Sequence, residues 1–158
     1  GLQFGNRVDL RAQLLGADSA HLTVVDEGLT SLRTLAYLKH GLLSVPDYPI
    51  QLSMSQISSA TNRFCQSRDL QYLNLDQDHE LFSRGAVDFH RNSGHRTLAA
   101  VPLVWSDRCM GYIGLAWVDE LRLDSAQQEL LQALAQHATL AVHLMRRADR
   151  VRRGAILE

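Results

Sequence analysis

Cysteine is scarce in this chain of 158 residues: there are two, Cys65 and Cys109, 44 positions apart. They form no C-x-x-C pair, so neither a zinc knuckle nor a disulfide framework is expected, and a reducing cytoplasm is the simplest setting. Proline is rarer than one in fifty, and no apolar run approaches the ~18–20 residues that a membrane-crossing helix needs. The N-terminus lacks the basic stretch and apolar core of a secretory signal. Charge of one sign is also missing: 16 Lys and Arg stand against 17 Asp and Glu, a formal net charge of -1. A nucleic-acid reader normally carries a basic excess, and the only dense basic run here is Arg146, Arg147, Arg150, Arg152 and Arg153. A cytoplasmic protein without nucleic-acid or membrane contact is the expectation.

What is present is an ordinary globular mixture, 46% apolar and 21% charged, enough to bury one core of domain size. Residues 8–15 carry Leu10, Leu14 and Leu15 in helical spacing and stop at Gly16, as the last turns of a truncated helix would. Residues 19–25 and 32–39 read as a hairpin around Asp26-Glu27-Gly28. Two prolines and a glycine make 41–49 a loop. Residues 54–66 place Met54, Ile57 and Phe64 on one helical face, and 70–75 reads as a short strand. Between 76 and 96 the pattern predicts one short helix inside a long loop, the kind of segment on which binding residues commonly sit.

The clearest signal follows. Residues 97–105 and 109–118 are two apolar strands joined by Ser106-Asp107-Arg108, an antiparallel hairpin with largely buried faces. A helix opens at Asp124 with two overlapping capping boxes, Asp124 with Gln127 or Ser125 with Gln128, and runs to about Arg152. Leu131, Leu134, Ala138, Ala141, Met145 and Ala148 alternate spacings of three and four. Leu140, Leu144 and Val151 widen that stripe enough for a second partner, such as the same helix of another subunit.

The run Leu98-Ala99-Ala100-Val101-Pro102-Leu103-Val104-Trp105, then Met110-Gly111-Tyr112-Ile113-Gly114-Leu115-Ala116-Trp117, then the long helix from Asp124, closely resembles the C-terminal half of a GAF domain. The resemblance is specific over 98–148 and holds in outline from Leu15. It is nearest to GAF domains found beside bacterial sensor histidine kinases and PPM-type serine phosphatases. It implies an α+β fold of the GAF/PAS-like (profilin-like) kind. A central antiparallel sheet of five or six strands has the terminal helices on one face and ligand-pocket loops and helices on the other. Residues 1–152 form that single domain, and 153–158 lead toward an output domain outside this sequence. Independently of family, Pro102 has to sit where no ladder bond is needed, and Gly111 and Gly114 allow an overlying helix or loop to come close.

The resemblance also frames the functional expectations. Enzymes of this fold that reduce free methionine sulfoxide cluster their cysteines at the pocket, and Cys65 and Cys109 do not reproduce that cluster. A cysteine-based redox enzyme remains the alternative of another class. The Cys-His pair of bilin attachment and the Asn-Lys-Phe-Asp-Glu signature of the phosphodiesterase subgroup are absent too. No catalytic residue is therefore assigned, and the cofactor is unknown. Asp88, His90 and His95 are the only local metal-ligand grouping, and a spacing of five in a loop imposes no geometry, so no metal is assigned. The pocket expected from the family's architecture is lined by Phe82, Phe89, His90, His95, Arg96 and Thr97. Tyr48, Phe64 and Tyr72 come from other walls and Trp117 from the sheet. Aromatics would give apolar contact and Arg96 an anion partner. Leu134, Ala141, Leu144, Met145, Ala148 and Val151 form the dimer and signalling face, for a regulatory sensor that binds a small molecule, or serves only to dimerise.

Overall fold

The computed structural model describes residues 15–25, 31–39, 42–44, 51–53, 66–67, 69–81 and 84–157. The helices expected over 8–15 and 54–66 lie outside them except for Leu15 and Gln66, as do Tyr48, Phe64, Cys65 and Phe82.

Among the described residues seven strands form one antiparallel sheet: β1 (Ser19–Val25), β2 (Ser31–Lys39), β3 (Leu42–Ser44), β4 (Gln51–Ser53), β5 (Gln71–Asn74), β6 (Thr97–Trp105) and β7 (Arg108–Trp117). The path is β3-β2-β1-β7-β6-β5, and the short β4 adds to the same edge of β2 as β3, so the described sheet has one strand more than the five or six expected. The near-continuous apolar run of β6 follows from its position: it has a neighbour on each side and a covered surface on each face, so Thr97–Leu103 is wholly buried. β5 pairs β6 only as far as Ala100, so Pro102 falls beyond that ladder and its missing N–H costs nothing there.

The β6–β7 connection is tighter than the sequence pattern predicts. Arg108 already pairs Trp105, which leaves a two-residue turn, Ser106 at φ 48 and Asp107 at φ 63. Two successive left-handed residues match the twist of a hairpin, and Asp and Ser tolerate them through local hydrogen bonding. Farther along, Leu103 faces Gly111 while Val104 faces Cys109, so Met110 is a bulge residue.

The helices among the described residues are α1 (Leu75–Asp78), followed by a 3-10 turn at His79–Leu81, α2 (Arg84–Asn92) and α3 (Ser125–Leu157). The stretch expected to be mostly loop is therefore mostly helical. The Asn74 side chain accepts from the amides of Asp76 and Gln77 while Asp78 accepts from the Asn74 amide, a cap that starts α1 directly at the end of β5. Of the two possible caps of α3, the structure uses Asp124 with Gln127: the Gln127 amide donates to Asp124 Oδ1 at 2.8 Å and the Asp124 amide to Gln127 Oε1 at 2.9 Å.

α3 lies on one face of the sheet. Leu131, Ala135 and Val142 are buried there against Ala99, Val101 and Leu103 of β6 and Ile113, Leu115 and Trp117 of β7. At 33 residues the helix is roughly 50 Å long, longer than the sheet it covers. Arg146 is half-buried and donates to the carbonyl of Val25 at the end of β1, and 147–154 are exposed. No helix among the described residues is long and apolar enough to cross a membrane.

Candidate ligand cleft

The opposite face of the sheet is built by register. Partners across antiparallel strands share a face, so Tyr37, His21, Gly114, Ala100 and Gln71 form one row over five strands. Lys39, Ser19, Ala116, Leu98 and Leu73 form the next. Leu73, Leu98, Ala100 and Ala116 make a small second core with Tyr112 against it. Beside that core Ser19 is buried, whereas several other side chains of β1, β2 and β7 are only half-buried. His21 is deeply enclosed yet keeps solvent contact, and Tyr37, Lys39 and Tyr112 are likewise half-buried. Half-buried polar side chains in mid-sheet, with α2 above them, make this face the candidate cleft.

α2 closes this cleft from above, and its C-terminus explains the placement of two histidines. Gly94 takes φ 74; its amide donates to the Arg91 carbonyl at 3.0 Å, and the His95 amide donates to the His90 carbonyl at 2.9 Å. These are the paired bonds of a Schellman motif, in which the residues three inside and two outside the helix end pack on each other. Here those residues are His90 and His95. Their Nδ1 atoms stand 3.0 Å apart, with ring centroids 5.3 Å apart. Five positions in a loop fix nothing, but five positions across a glycine-capped helix end fix the pair, which corrects the expectation from sequence. Two nitrogens do not make a metal centre: no group of three His, Cys, Asp or Glu among the described residues could hold a metal ion.

Phe89 ties α2 to β2. Its ring meets Tyr37 edge-on at 6.0 Å, and the Lys39 ammonium lies 5.9 Å from its centroid, yet it stays 41% exposed at the cleft mouth. His21 sits below, its ring edge-on to Tyr112 at 5.4 Å. Burial lowers the His21 pKa to about 4. Burial first, then the neighbouring His95 and His21, lower that of His90 to about 4 as well. Burial raises the Tyr37 phenol and the Ser19 side chain beside it offsets this in part; the buried Tyr37 oxygen makes no hydrogen bond of normal geometry.

The expected pocket residues divide between the two faces. Phe89, His90 and His95 meet at the cleft. Trp117, 2% exposed, instead lies in the core beneath α3 and donates its indole N–H to the Leu15 carbonyl at 3.1 Å. Thr97 pairs Trp117 and shares its face; its hydroxyl donates to the Asp119 carbonyl and accepts from the Leu121 amide. Tyr72 also packs on the α3 side, its oxygen accepting from the Leu123 amide. Arg96 is exposed, holding the chain through its backbone to Leu75 and Trp117. Tyr72, Thr97 and Trp117 thus fix the loop that leads into α3 and do not line the cleft. Strand parity separates Thr97 and Trp117 from it, since neighbours along a strand face opposite ways.

The glycines also act differently from expectation. Gly111, at φ 147, admits the neighbouring strand: a Cβ there would lie 2.1 Å from the Thr23 carbonyl oxygen. Gly114 admits a side chain, His21, with Cε1 2.2 Å from where a Cβ would stand. His21, Tyr37, Lys39 and Tyr112 carry no motif. The available signal is parity: His21 and Thr23 alternate with the apolar Leu22 and Val24, which places polar residues on a face that β2 and β7 enclose.

On the described α3 surface, Leu134 is half-buried against the core, whereas Ala141, Leu144, Met145, Ala148 and Val151 are exposed on the helix. Among the cysteines, Cys109 is half-buried in β7 with its thiol against the Gly111 carbonyl at 3.5 Å.

A seven-strand antiparallel sheet with a long helix on one face and a helix-roofed cleft on the other defines a class of small α+β modules. The model of the GAF domain matches residues 5–142, and the chain belongs to that family. The GAF domain of a two-component sensor histidine kinase from Bacillus halodurans superposes with a TM-score of 0.69 at 12% identity, covering 94% of this chain and 98% of that one. A GAF domain/HD domain protein from Geobacter sulfurreducens gives 0.65 at 17% identity, over 92% and 91%. The second GAF domain of DevS from Mycobacterium smegmatis gives 0.58 at 16%, over 94% and 98%. These likenesses carry the fold. No curated protein matches the chain.

Proposed function

We propose that the chain is a regulatory sensor module of a bacterial signal-transduction protein. A small molecule held between the sheet and α2 biases α3, and α3, paired with its counterpart in a second copy, passes that bias to an attached output domain. The observation that carries this is the path through β1. His21 faces the cleft, and four residues on, the Val25 carbonyl at the strand's end accepts from Arg146, where α3 leaves the sheet. A ligand that favours one position of β1 therefore acts on the root of the protruding helix, and it transmits only as much as its affinity differs between the two positions. The exposed stripe of Ala141, Leu144, Met145, Ala148 and Val151 supports pairing with a second copy, since burying apolar surface is worth about 25 cal/mol per Å². The histidine-kinase GAF domain among the structural neighbours supports a signalling parent.

A thermal-shift screen of small metabolites against the protein and a His21→Trp variant, in which the indole fills the cleft, tests the proposal. A compound is expected to raise the melting temperature of the first by several degrees and leave the second unmoved. Equal response of both, or none across the screen, contradicts it.

A further inference from the structure

α3 carries a seam that the domain itself leaves in solvent. Leu134, His137, Ala141, Leu144, Ala148 and Val151 are spaced alternately by three and four, the repeat that keeps one seam turned to a second helix. Leu134 is half-buried at one end and the other five are exposed, whereas Leu131, Ala135 and Val142 turn to the sheet. Small and large residues alternate along it. When two copies of α3 run antiparallel with Ala141 of each opposite Leu144 of the other, the same register sets Ala148 opposite His137 and Leu134 opposite Val151. Every inner layer then sets a small residue against a large one, as interdigitated packing requires. A parallel pair instead stacks Ala141 on Ala141 and Ala148 on Ala148, thin layers between thick ones.

Charge separates the two arrangements in the same sense. Residues 147–154 are exposed and carry Arg147, Arg150, Arg152 and Arg153 with Asp149, a net charge of +3. Toward the other end, residues 118–137 carry Asp119, Glu120, Asp124 and Glu129 with Arg122, all exposed, a net charge of -3. A parallel pair gains contact between the exposed Leu140 and Met145, but it brings the basic ends together and sets Arg147 beside Arg152 of the second copy at the positions flanking the seam. An antiparallel pair lays each basic end along the start of the other helix, where Arg153 stops one turn from Glu129 of the second copy.

We propose that the exposed seam of α3 is a self-complementary antiparallel surface, occupied by the same helix of a second copy in the register that sets Ala141 opposite Leu144. This rests on the α3 pairing of the proposed function and adds its direction. Residue 154 of one chain then lies opposite residue 131 of the other, so the two 154 positions stand about 35 Å apart along the pair. Output domains that follow α3 are held at opposite ends while the pair stands. The Arg146 contact with the Val25 carbonyl lies two residues from Leu144, at the centre of the pair, so a displacement of β1 acts where the two helices meet.

Sedimentation of the intact chain at low and high salt, together with disulfide trapping, tests this. Raising sodium chloride from about 0.05 to 0.5 M should weaken the dimer roughly threefold or more, because opposite charges meet in it. A dimer that salt strengthens or leaves unchanged would overturn the antiparallel pairing. For trapping, chains with Cys65 and Cys109 replaced by serine receive either His137→Cys or Ala148→Cys. A mixture of the two should oxidise to a covalent dimer on a non-reducing gel, while each alone stays uncrosslinked. Should the serine replacements lower the melting temperature, the salt dependence of the intact chain decides alone. A covalent dimer from Ala148→Cys by itself would establish a parallel pair and overturn the inference, leaving the α3 pairing of the proposed function standing. A dimer that the mixture fails to trap would place the contact on another face and overturn it as well. A chain that sediments as a monomer at micromolar concentration would remove α3 pairing altogether.

Discussion

His21 rests on Gly114: the imidazole occupies the space that a Cβ at position 114 would need, 2.2 Å from that point. The contact joins the middle of β1 to β7 and sets the floor of the cleft. Gly114→Ala therefore has to push the His21 ring toward α2. An overpacked site of this kind costs about 1–3 kcal/mol, and urea unfolding, with the His21 ring signals followed by NMR, should show both the loss and the displaced ring.

Gly111→Ala should be worse. The obstructing atoms there are the Thr23 carbonyl and the Val24 Cα, backbone that cannot rotate aside, and the position adds a φ of 147. Gly154 is the internal control: it lies in α3 with nothing within 4 Å, so Gly154→Ala should stabilise by about 0.5–1 kcal/mol. The predicted order of midpoints is Gly154→Ala above the parent, then Gly114→Ala, then Gly111→Ala, with soluble yield following it.

How much of this was legible in the sequence depends on the range of the interactions. The β6–β7 hairpin and the Asp124–Gln127 cap are local, and turn residues and spacing specify them. The cleft is not local. His21, Tyr37 and Gly114 meet only through strand register, and parity along a single strand does not tell which face a distant helix covers. That is why Thr97 and Trp117, on strands that do border the cleft, point the other way. The His90–His95 pair lay between these cases: Gly94 is a recognisable helix stop, but the pattern around it reads as loop until α2 is seen.

Acid should unfold the protein in a defined window. His21 and His90 have folded pKa values near 4 against an ordinary 6.5, so the unfolded chain binds more protons between those values. Stability is full above about pH 6.5 and falls toward pH 4, with a slope approaching 1.4 kcal/mol per unit for each such group. Urea midpoints measured from pH 8 to pH 4 should show the fall, and His21→Gln should flatten it by removing one of the two groups. A flat profile for the parent would mean that the imidazoles are solvated.

Charge on the exposed α3 stripe should abolish self-association without unfolding the domain. Leu144 and Val151 are 53% and 66% exposed, so Leu144→Glu with Val151→Glu removes no core contact. Light scattering at micromolar concentration should report a dimer for the parent and a monomer of unchanged melting temperature for the double variant. A monomeric parent would remove α3 pairing from the account.

Asp124→Ala should cost about 1 kcal/mol, since it removes the acceptor of the Gln127 amide at the start of α3. Hydrogen exchange should localise the loss to the first turn, leaving the Arg146 end protected as before.

The central claim, that the cleft holds a small molecule whose presence is felt at α3, is tested most directly by native mass spectrometry of freshly purified protein, followed by denaturation of the same sample. The account predicts a dimer carrying one small molecule per chain, released on denaturation and lost in the His21→Trp variant. A bare chain mass that takes up nothing when metabolites are added would contradict it.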